Sequence, residues 1–372
     1  MPGRLHLRRS GSPPQGATRA FQPWRNSAVC PHDPGMRMLH VLNGDIVAGG
    51  LARAGVPGSL AVWADPLHEG PVPPDDDLDR WVHTRTRFIA RCGWEDELIA
   101  VARYAGWRAA LDSFRAFDEV ILWFEHDLFD QLLLVRHLAW FARQEEFAAG
   151  AEDQTREVRL SLICIGAFPG IDRFDGLGQL ETAQLAGLLP QRQPVTHEQL
   201  ELGRSVWHAF TSPDPLSLQH VASGDTSALP FLAGALERLL EEYPSVRNGV
   251  GRTEQQVLDI LARAPRSAAA LFVENQRREE RVFMGDASFW LRLRQLAAEP
   301  APLVRLHGGA SDREIARSDV EITTDGWRVL GGRADRIALA GIDRWIGGVH
   351  LRGAPDWRWD GEARRIVSRH RP

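Results

Sequence analysis

The chain has 372 residues, of which 44% are hydrophobic and 25% are charged, and its net charge is −5. These values are those of an ordinary soluble globular protein, and the length is sufficient for two domains. No apolar stretch approaches the roughly 20 residues of a membrane-spanning helix, so we expect no membrane partner. All 44 basic residues are arginine, which excludes a Schiff-base lysine and a P-loop lysine.

Cysteine content and charge distribution narrow the class further. Cys30, Cys92 and Cys164 are too few and too scattered for a disulfide framework or a zinc site, which favours a reducing, cytoplasmic location. Residues 38–250 carry 17 Arg and 31 acids, whereas residues 251–372 carry 21 Arg and 17 acids. An acidic body followed by a mildly basic end suggests two units with different roles. The acidic body would repel nucleic acid phosphates at long range.

The first 37 residues show no hydrophobic periodicity. They are rich in Pro, Gly, Ser and Arg, and they lack the apolar region of a secretory signal. Met36 stands just before the first predicted strand, and Met38 begins it. We therefore interpret residues 1–37 as a disordered or untranslated extension, with an amphipathic targeting peptide as the alternative.

Residues 38–168 alternate predicted strands with predicted helices. The strands are expected at MLHVL (from Met38), from Ser59, at VILWF (from Val120) and at RLSLICIG (Arg159 to Gly166). Their apolar runs are continuous, which favours a parallel sheet that is covered on both faces. The intervening helical patterns imply right-handed crossovers, so we predict an α/β domain with a doubly wound, mostly parallel sheet.

The remainder of the chain has a different pattern. Residues 169–250 are predicted to form a helical segment packed on the α/β domain, with no strand. Residues 251–372 begin with three helical patterns, and LVRLH and VEITTDGWRVL then read as two strands. Three helices followed by a β-hairpin is the order of a winged helix. Further short strands are expected in the tail, which contains Trp345, Trp357 and Trp359.

Acidic residues and a histidine end the third predicted strand. Glu125 and His126 come at its carboxyl end, where open α/β sheets place ligands. Asp127 is suited to the N-cap of the next helix, and Asp130 falls in its first turn, so both have a structural explanation. Helix capping requires neither Glu125 nor His126, and we therefore expect these two to form the acid–base or metal-facing pair.

The first strand also ends in polar residues. Asn43, Gly44 and Asp45 follow it directly. Gly44 would permit a tight turn or the close approach of a ligand, and Asp45 would either cap the following helix or orient a ligand. The motif is no dinucleotide fingerprint, because G-x-G-x-x-G is absent.

The loop after the second strand adds Asp65, His68 and Glu69 to the same edge of the predicted sheet. The alternative is an ordinary solvated loop. Crowded carboxylates raise one another's pKa unless a cation or a donor lies among them. A divalent metal, an amine or a nucleobase edge would satisfy this pocket, and the spacing does not choose among Mg, Mn and Zn.

Arginines mark two further candidates. Arg173 lies in the Gly-rich loop after the fourth strand, where backbone N–H groups could hold an anion. Arg292 and Arg294 lie on the third helix of the predicted winged helix, where a DNA-reading helix would need them. That helix has few other basic or amide side chains, so a packing or protein-partner role is the alternative.

Several motifs together resemble a bacterial family known as domain of unknown function 1835. They are HVLNGD (from His40), WADPLHEGPVP (from Trp63), LWFEHDLFDQL (from Leu122), FMGDASFW (from Phe283) and GIDRWIGGVHLRG (from Gly341). The resemblance spans roughly residues 38–372 and implies the two-part architecture. The family often has Ser after Asn-Gly-Asp, whereas this chain has Ile46, so a nucleophilic serine is not expected here. The resemblance leaves the activity open.

Three functions fit these observations. The first is a small-molecule or nucleotide-type ligand site at the carboxyl ends of the strands, acting in hydrolysis or group transfer. Its residues would be Asn43, Gly44, Asp45, His68, Glu69, Glu125, His126 and Asp127, with Arg173 nearby. The second is a ligand-responsive DNA-binding regulator, and the third is a non-catalytic adaptor for a protein partner.

Overall fold

The computed structural model describes residues 35–147, 158–309 and 311–368. The predicted extension over residues 1–37 lies almost wholly outside this range. Among the described residues, no helix is both long enough and apolar enough to cross a membrane.

A five-stranded, mostly parallel sheet forms the centre of the first part. Its order is β2-β1-β3-β4-β5, with β1 to β4 parallel and β5 antiparallel to β4. The strands are β1 (Met38–Leu42), β2 (Ser59–Val62), β3 (Glu119–Glu125), β4 (Arg159–Ile165) and β5 (Gln193–Pro194). The mostly parallel α/β sheet is thus confirmed. The expectation of no strand after residue 169 was wrong at β5, whose two residues are too few to give a sequence pattern.

Packed helices cover both faces of this sheet. They are α1 (Asp45–Arg53), α2 (Leu78–Cys92), α3 (Glu97–Asp112) and α4 (Leu128–Phe141). Successive side chains of a strand point to opposite faces, so Leu122 and Phe124 join one core while Ile121 and Trp123 join the other. This alternation explains why β3 is apolar along its whole length.

Four helices follow β4, with β5 among them. They are α5 (Thr182–Ala186), α6 (His197–Thr211), α7 (Pro215–Ala222) and α8 (Leu232–Leu240). Both α6 and α8 pack against α4, which is why α4 is buried nearly all round. The predicted helical segment is thus present.

The next region contains three helices and a small antiparallel sheet. The helices are α9 (Arg252–Leu261), α10 (Ala268–Gln276) and α11 (Asp286–Leu296). The strands are β6 (Arg266–Ser267), β7 (Val304–His307) and β8 (Asp319–Ile322), in the order β6-β8-β7, and α12 (Asp312–Ile315) lies between β7 and β8.

One predicted strand in this region was too long. The sequence after Ile322 forms a helix, α13 (Thr324–Leu330), where VEITTDGWRVL was read as a continuous strand. The Thr323 hydroxyl caps this helix by accepting a hydrogen bond from the Gly326 N–H at 3.0 Å. The chain ends in α14 (Arg336–Ala340) and two hairpins, formed by β9 (Ile342–Ile346) with β10 (Val349–Gly353) and by β11 (Trp357–Asp360) with β12 (Arg365–Ser368).

Candidate functional site

Three buried carboxylates meet where β3 passes into α4. Glu125 is the last residue of β3, Asp127 is the N-cap of α4, and Asp130 lies in its first turn. None is more than 6% exposed. One oxygen from each lies within 4.8 Å of the other two. We call these three residues the carboxylate cluster.

Neighbouring donors hold each carboxylate in place. The Leu177 N–H donates to Glu125 Oε1 at 2.7 Å, and the Asp130 N–H donates to Asp127 Oδ1 at 3.2 Å. Asn43, from the loop after β1, donates from Nδ2 to Asp130 Oδ2 at 2.8 Å. The cluster is thus formed where the adjacent strands β1 and β3 end. The loop that contains Leu177, more than 50 residues further along the chain, completes it.

The loop over the cluster approaches Glu125 so closely that it needs a glycine. Gly176 has φ +148°, and a Cβ there would lie 2.1 Å from Glu125 Oε2. An L-residue here would have to displace the buried Glu125 carboxylate, and the backbone conformation is one that essentially only glycine adopts. Gly176 therefore allows the chain to cover the cluster and to present the following N–H to Glu125.

Burial makes three adjacent negative charges unfavourable. Burial, with repulsion from Asp127, raises the pKa of Glu125 to about 8, and burial raises the pKa of Asp127 to about 6. Burial and both neighbouring carboxylates raise the pKa of Asp130 well above its usual range. Near neutral pH the cluster therefore retains a proton or needs a cation to compensate its charge.

One oxygen of the cluster has no ordinary donor. Asp130 Oδ1 is buried and accepts no hydrogen bond from any described N–H or hydroxyl group. The side chains of Glu125 and Asp130 lie close enough to share a proton. The cluster can thus exist as a proton-sharing pair or as a cation site. The atoms that would bind a cation are all carboxylate oxygens, which suit Mg²⁺, Mn²⁺ or Ca²⁺ better than Zn²⁺.

His126 does not pair with Glu125 as the sequence suggested. No hydrogen bond joins the two side chains in the described part of the chain, and the histidine lies outside the carboxylate cluster. Its ring lies between Phe174 and Phe231, at centroid distances of 5.9 Å from each, and its buried Nδ1 has no described partner. Burial, assisted by Arg281, lowers the pKa of His126 to about 4, so the imidazole is neutral at pH 7.

The loop after β1 contributes Asn43 rather than the residues that follow it. Asp45 is exposed in the first turn of α1, and no contact with the cluster is found among the described residues. Gly44 has φ −162°, an extended conformation open to any residue, and open space surrounds the position of its missing Cβ. The tight turn at Gly44 was therefore wrong, whereas an orienting role for Asp45 and the approach of a ligand to Gly44 stay predictions.

The loop after β2 points into the protein rather than toward the cluster. The carboxylate of Glu69 binds Arg292 of α11, and Asp65 pairs with Arg85 inside the α/β domain. His68 packs edge-on against Phe129 and Phe283, and neither of its ring nitrogens has a described partner. Burial and the nearby Arg292 lower the pKa of His68 to about 3. Of the three loops that were predicted to share one acidic pocket, only those after β1 and β3 therefore meet at the carboxylate cluster.

The predicted arginines also have structural partners. Arg173 pairs with Asp175 and donates to the carbonyl oxygens of Gln276 and Glu279, so it joins its loop to the end of α10. Arg292 is 2% exposed and cannot reach a DNA duplex from that position. Arg294 pairs with Asp312 and donates to the Cys92 carbonyl. The predicted DNA contact was therefore wrong for Arg292, and no anion-holding role is evident for Arg173.

Sequence reasoning underestimated Asp130 and missed Gly176 and Leu177. Asp130 was explained as an ordinary first-turn acid, and its contact with Asn43 joins positions 87 residues apart. Gly176 lies in a loop whose glycines look like ordinary turn residues. The apolar surroundings of Asp130 in LFDQLLLV were the one available sign that its carboxylate would be buried.

Comparison with family models and with curated proteins gave no match. The chain matches no protein-family model. It also matches no curated protein at the significance required. Function must therefore be inferred from the carboxylate cluster and its surroundings.

Proposed function

We propose that the carboxylate cluster binds a divalent cation, Mg²⁺, Mn²⁺ or Ca²⁺, and that the protein uses it to act on a small-molecule ligand. The observation that carries this proposal is the meeting of Glu125, Asp127 and Asp130 in the interior, with one buried oxygen of Asp130 lacking an ordinary donor. A divalent ion would neutralise the charge that burial makes unfavourable.

The position of the cluster supports a functional reading. It lies at the carboxyl end of β3, beside the loop after β1, and open α/β sheets bind ligands at this edge. Structural carboxylates of this kind normally pair with Arg, as Asp65 does with Arg85 in the same domain. Among the described residues, no arginine forms an ion pair with any member of the carboxylate cluster.

A cation bound by the oxygens of the carboxylate cluster suits hydrolysis or group transfer best. A cation held by carboxylates would polarise a carbonyl or phosphoryl oxygen and activate water. The chain's own residues would fix the geometry: Asn43 orients Asp130, and the Leu177 N–H orients Glu125. His126 adds a neutral imidazole next in sequence to Glu125, although its ring lies among Phe174 and Phe231.

Membership of the bacterial domain of unknown function 1835 family is a further proposal. Two of the motifs that resemble the family meet at the cluster, since HVLNGD supplies Asn43 and LWFEHDLFDQL supplies the three carboxylates. This convergence of distant motifs supports a shared function for them. A cytoplasmic location is likewise a proposal.

The second candidate function concerns the region from α9 to β8. We infer that it is a winged-helix-like module, because three helices accompany an antiparallel sheet of order β6-β8-β7. The burial of Arg292 against Glu69 favours a packing role over DNA reading for α11. This account predicts no retardation of duplex DNA at low salt, and salt-sensitive retardation would instead support the regulator.

A thermal-shift titration tests the first proposal. Millimolar Mg²⁺, Mn²⁺ or Ca²⁺ should raise the melting temperature of the wild type by several degrees, and should not raise that of Asp127→Asn/Asp130→Asn. Asp172→Asn, which removes an exposed carboxylate from the loop after β4, should respond like the wild type. Equal shifts in all three proteins would exclude the carboxylate cluster as the site. If the cation instead stabilises the wild type and not the double variant, nucleotides and sugar phosphates should be screened with the cation present.

A further inference from the structure

A second site is suggested by a cleft between the α/β part and the C-terminal part. It has a volume of about 440 Å³ and lies among α2, the loop after β2, α11 and β9. This volume is within the range of small-molecule sites, which form preferentially where two parts of a protein meet. Four arginines line it, and we call it the arginine cleft: Arg87, Arg91, Arg294 and Arg344.

Two of these arginines have carboxylate partners and two do not. Arg294 pairs with Asp312, and Arg344 pairs with Glu254. Arg87 is exposed, and its one side-chain partner in the part of the chain that the structure describes is His83, at 3.4 Å. Arg91 is also exposed and makes no ion pair or side-chain hydrogen bond within residues 35–147, 158–309 and 311–368. No carboxylate among the described residues thus pairs with either guanidinium group, and the one favourable contact of Arg91 is with the helix dipole at the end of α2.

Neither acidic residue of the arginine cleft, Glu69 or Asp343, forms an ion pair or a hydrogen bond with Arg87 or Arg91 among the described residues. The Glu69 carboxylate is bonded to Arg292, and Asp343 is bonded to His350. Arg87 and Arg91 are four residues apart on α2, so they lie on one face of the helix and repel each other. A bound anion would relieve this repulsion and accept hydrogen bonds from both guanidinium groups.

Aromatic rings line two walls of the same cleft. Phe88 comes from α2, next to Arg87, and Trp345 comes from β9. Both are half-buried, and Trp345 is held by stacking on His350, with 4.2 Å between the ring centroids. Fixed aromatic rings beside guanidinium groups suit a ligand that has both a planar ring and an anionic group.

We propose that the arginine cleft binds a nucleoside phosphate, with the phosphate at Arg87 and Arg91 and the base against Phe88 or Trp345. The site is separate from the carboxylate cluster, because none of the cluster's residues is among the described residues that line it. Binding here therefore does not require the divalent cation. The proposal for the arginine cleft and the proposal for the carboxylate cluster can therefore be tested independently.

Calorimetric titration of the full chain with adenosine 5′-diphosphate tests this proposal. The buffer should contain a chelator and little salt, so that the carboxylate cluster plays no part. The diphosphate should bind the wild type, and Arg87→Ala/Arg91→Ala should weaken binding by about ten-fold or more, as expected for losing two charge-assisted contacts. Asp127→Asn/Asp130→Asn should bind as tightly as the wild type.

A matched control separates these contacts from general charge. Arg53→Ala/Arg80→Ala also removes two exposed arginines, one of them from α2, and neither lines the arginine cleft. It should bind the diphosphate like the wild type. Inorganic phosphate and adenosine should each bind more weakly than the diphosphate, because phosphate contacts only the arginines and adenosine contacts only the aromatic rings.

Three results would overturn the proposal. The first is no heat of binding with any of the three probes. The second is equal affinity for wild type and Arg87→Ala/Arg91→Ala. The third is binding of a single-stranded oligonucleotide, lost in that variant, without binding of the mononucleotide, which would make the cleft part of a nucleic acid surface.

Discussion

Arg292 of α11 donates a hydrogen bond from Nη2 to Glu69 Oε1 at 2.6 Å, and neither side chain is more than 4% exposed. The two residues are 223 positions apart. Their ion pair joins the loop after β2 to the helix that a DNA-binding function would require. The pair thus explains why Glu69 does not belong to the carboxylate cluster and why α11 is covered.

Breaking this pair from one side should destabilise the whole chain. Arg292→Met leaves Glu69 buried without its hydrogen-bonded counter-charge, so we expect the free energy of unfolding to fall by about 3–5 kcal/mol in urea titrations. Glu69→Gln/Arg292→Met should recover part of this loss, because neither charge of the pair is then left buried without the other. The exposed pair Arg305–Glu321 provides the control, since Arg305→Met should cost less than about 1 kcal/mol. Similar losses for both arginines would contradict the account.

The loop over the cluster should not tolerate a side chain at residue 176. Gly176→Ala places a Cβ against Glu125 Oε2 in a backbone region that alanine avoids, so the variant should lose about 2–4 kcal/mol of stability and bind Mn²⁺ more weakly. Gly170→Ala is the matched control: Gly170 also has positive φ, +83°, but its Cβ would meet nothing within 4 Å. It should lose only the cost of backbone strain and keep its affinity for Mn²⁺.

The stability of the cation-free protein should fall as pH rises through the neutral range. Glu125 has a pKa of about 8 in the folded chain against a usual value of 4.5, so between these values the folded state holds a proton that the unfolded state has released. Unfolding then releases a proton, and the free energy of unfolding decreases with increasing pH. Glu125→Gln should show a shallower decrease in urea titrations with a chelator. Identical slopes would show that Glu125 does not titrate in this window.

Exchanging the amide at residue 43 for a carboxylate should make the stability of the protein depend more strongly on the cation. Asn43→Asp removes the donor to Asp130 and adds a fourth carboxylate, so the cation-free melting temperature should fall and the increase with Mn²⁺ should exceed that of the wild type. Asn43→Ala separates the two effects, because it removes the donor without adding charge. The proposal is contradicted if Mn²⁺ shifts the three proteins equally.

The fold was predictable where short-range patterns determine it. The apolar runs of β1, β3 and β4 and the intervening helices gave the parallel α/β sheet, because both faces of that sheet are buried. β5 was missed because its two residues pair with β4 through tertiary contacts alone. The strand predicted after Ile322 was wrong because the Thr323 cap starts a helix that β-branched composition does not reveal.

The candidate site was only partly predictable for a similar reason. Glu125 and Asp127 were identified because strand ends and helix starts carry local signals. The contacts of Asn43 with Asp130 and of Leu177 with Glu125 depend on how distant loops meet, and no local pattern encodes this. Glu69 and His68 were assigned to the site because their loop follows a neighbouring strand, but burial turned them toward α11 and Phe283.

Direct measurement of Mn²⁺ binding tests the central claim most sharply. Electron paramagnetic resonance of free Mn²⁺, titrated with the full chain, should show one bound ion per chain for the wild type. Asp130→Asn should weaken this binding by about ten-fold or more, since ligand charge sets the affinity, while its cation-free stability stays equal or rises because one buried charge is gone. A wild type that binds no Mn²⁺, or an Asp130→Asn protein that binds it equally well, would show instead that the three carboxylates share protons and hold no cation.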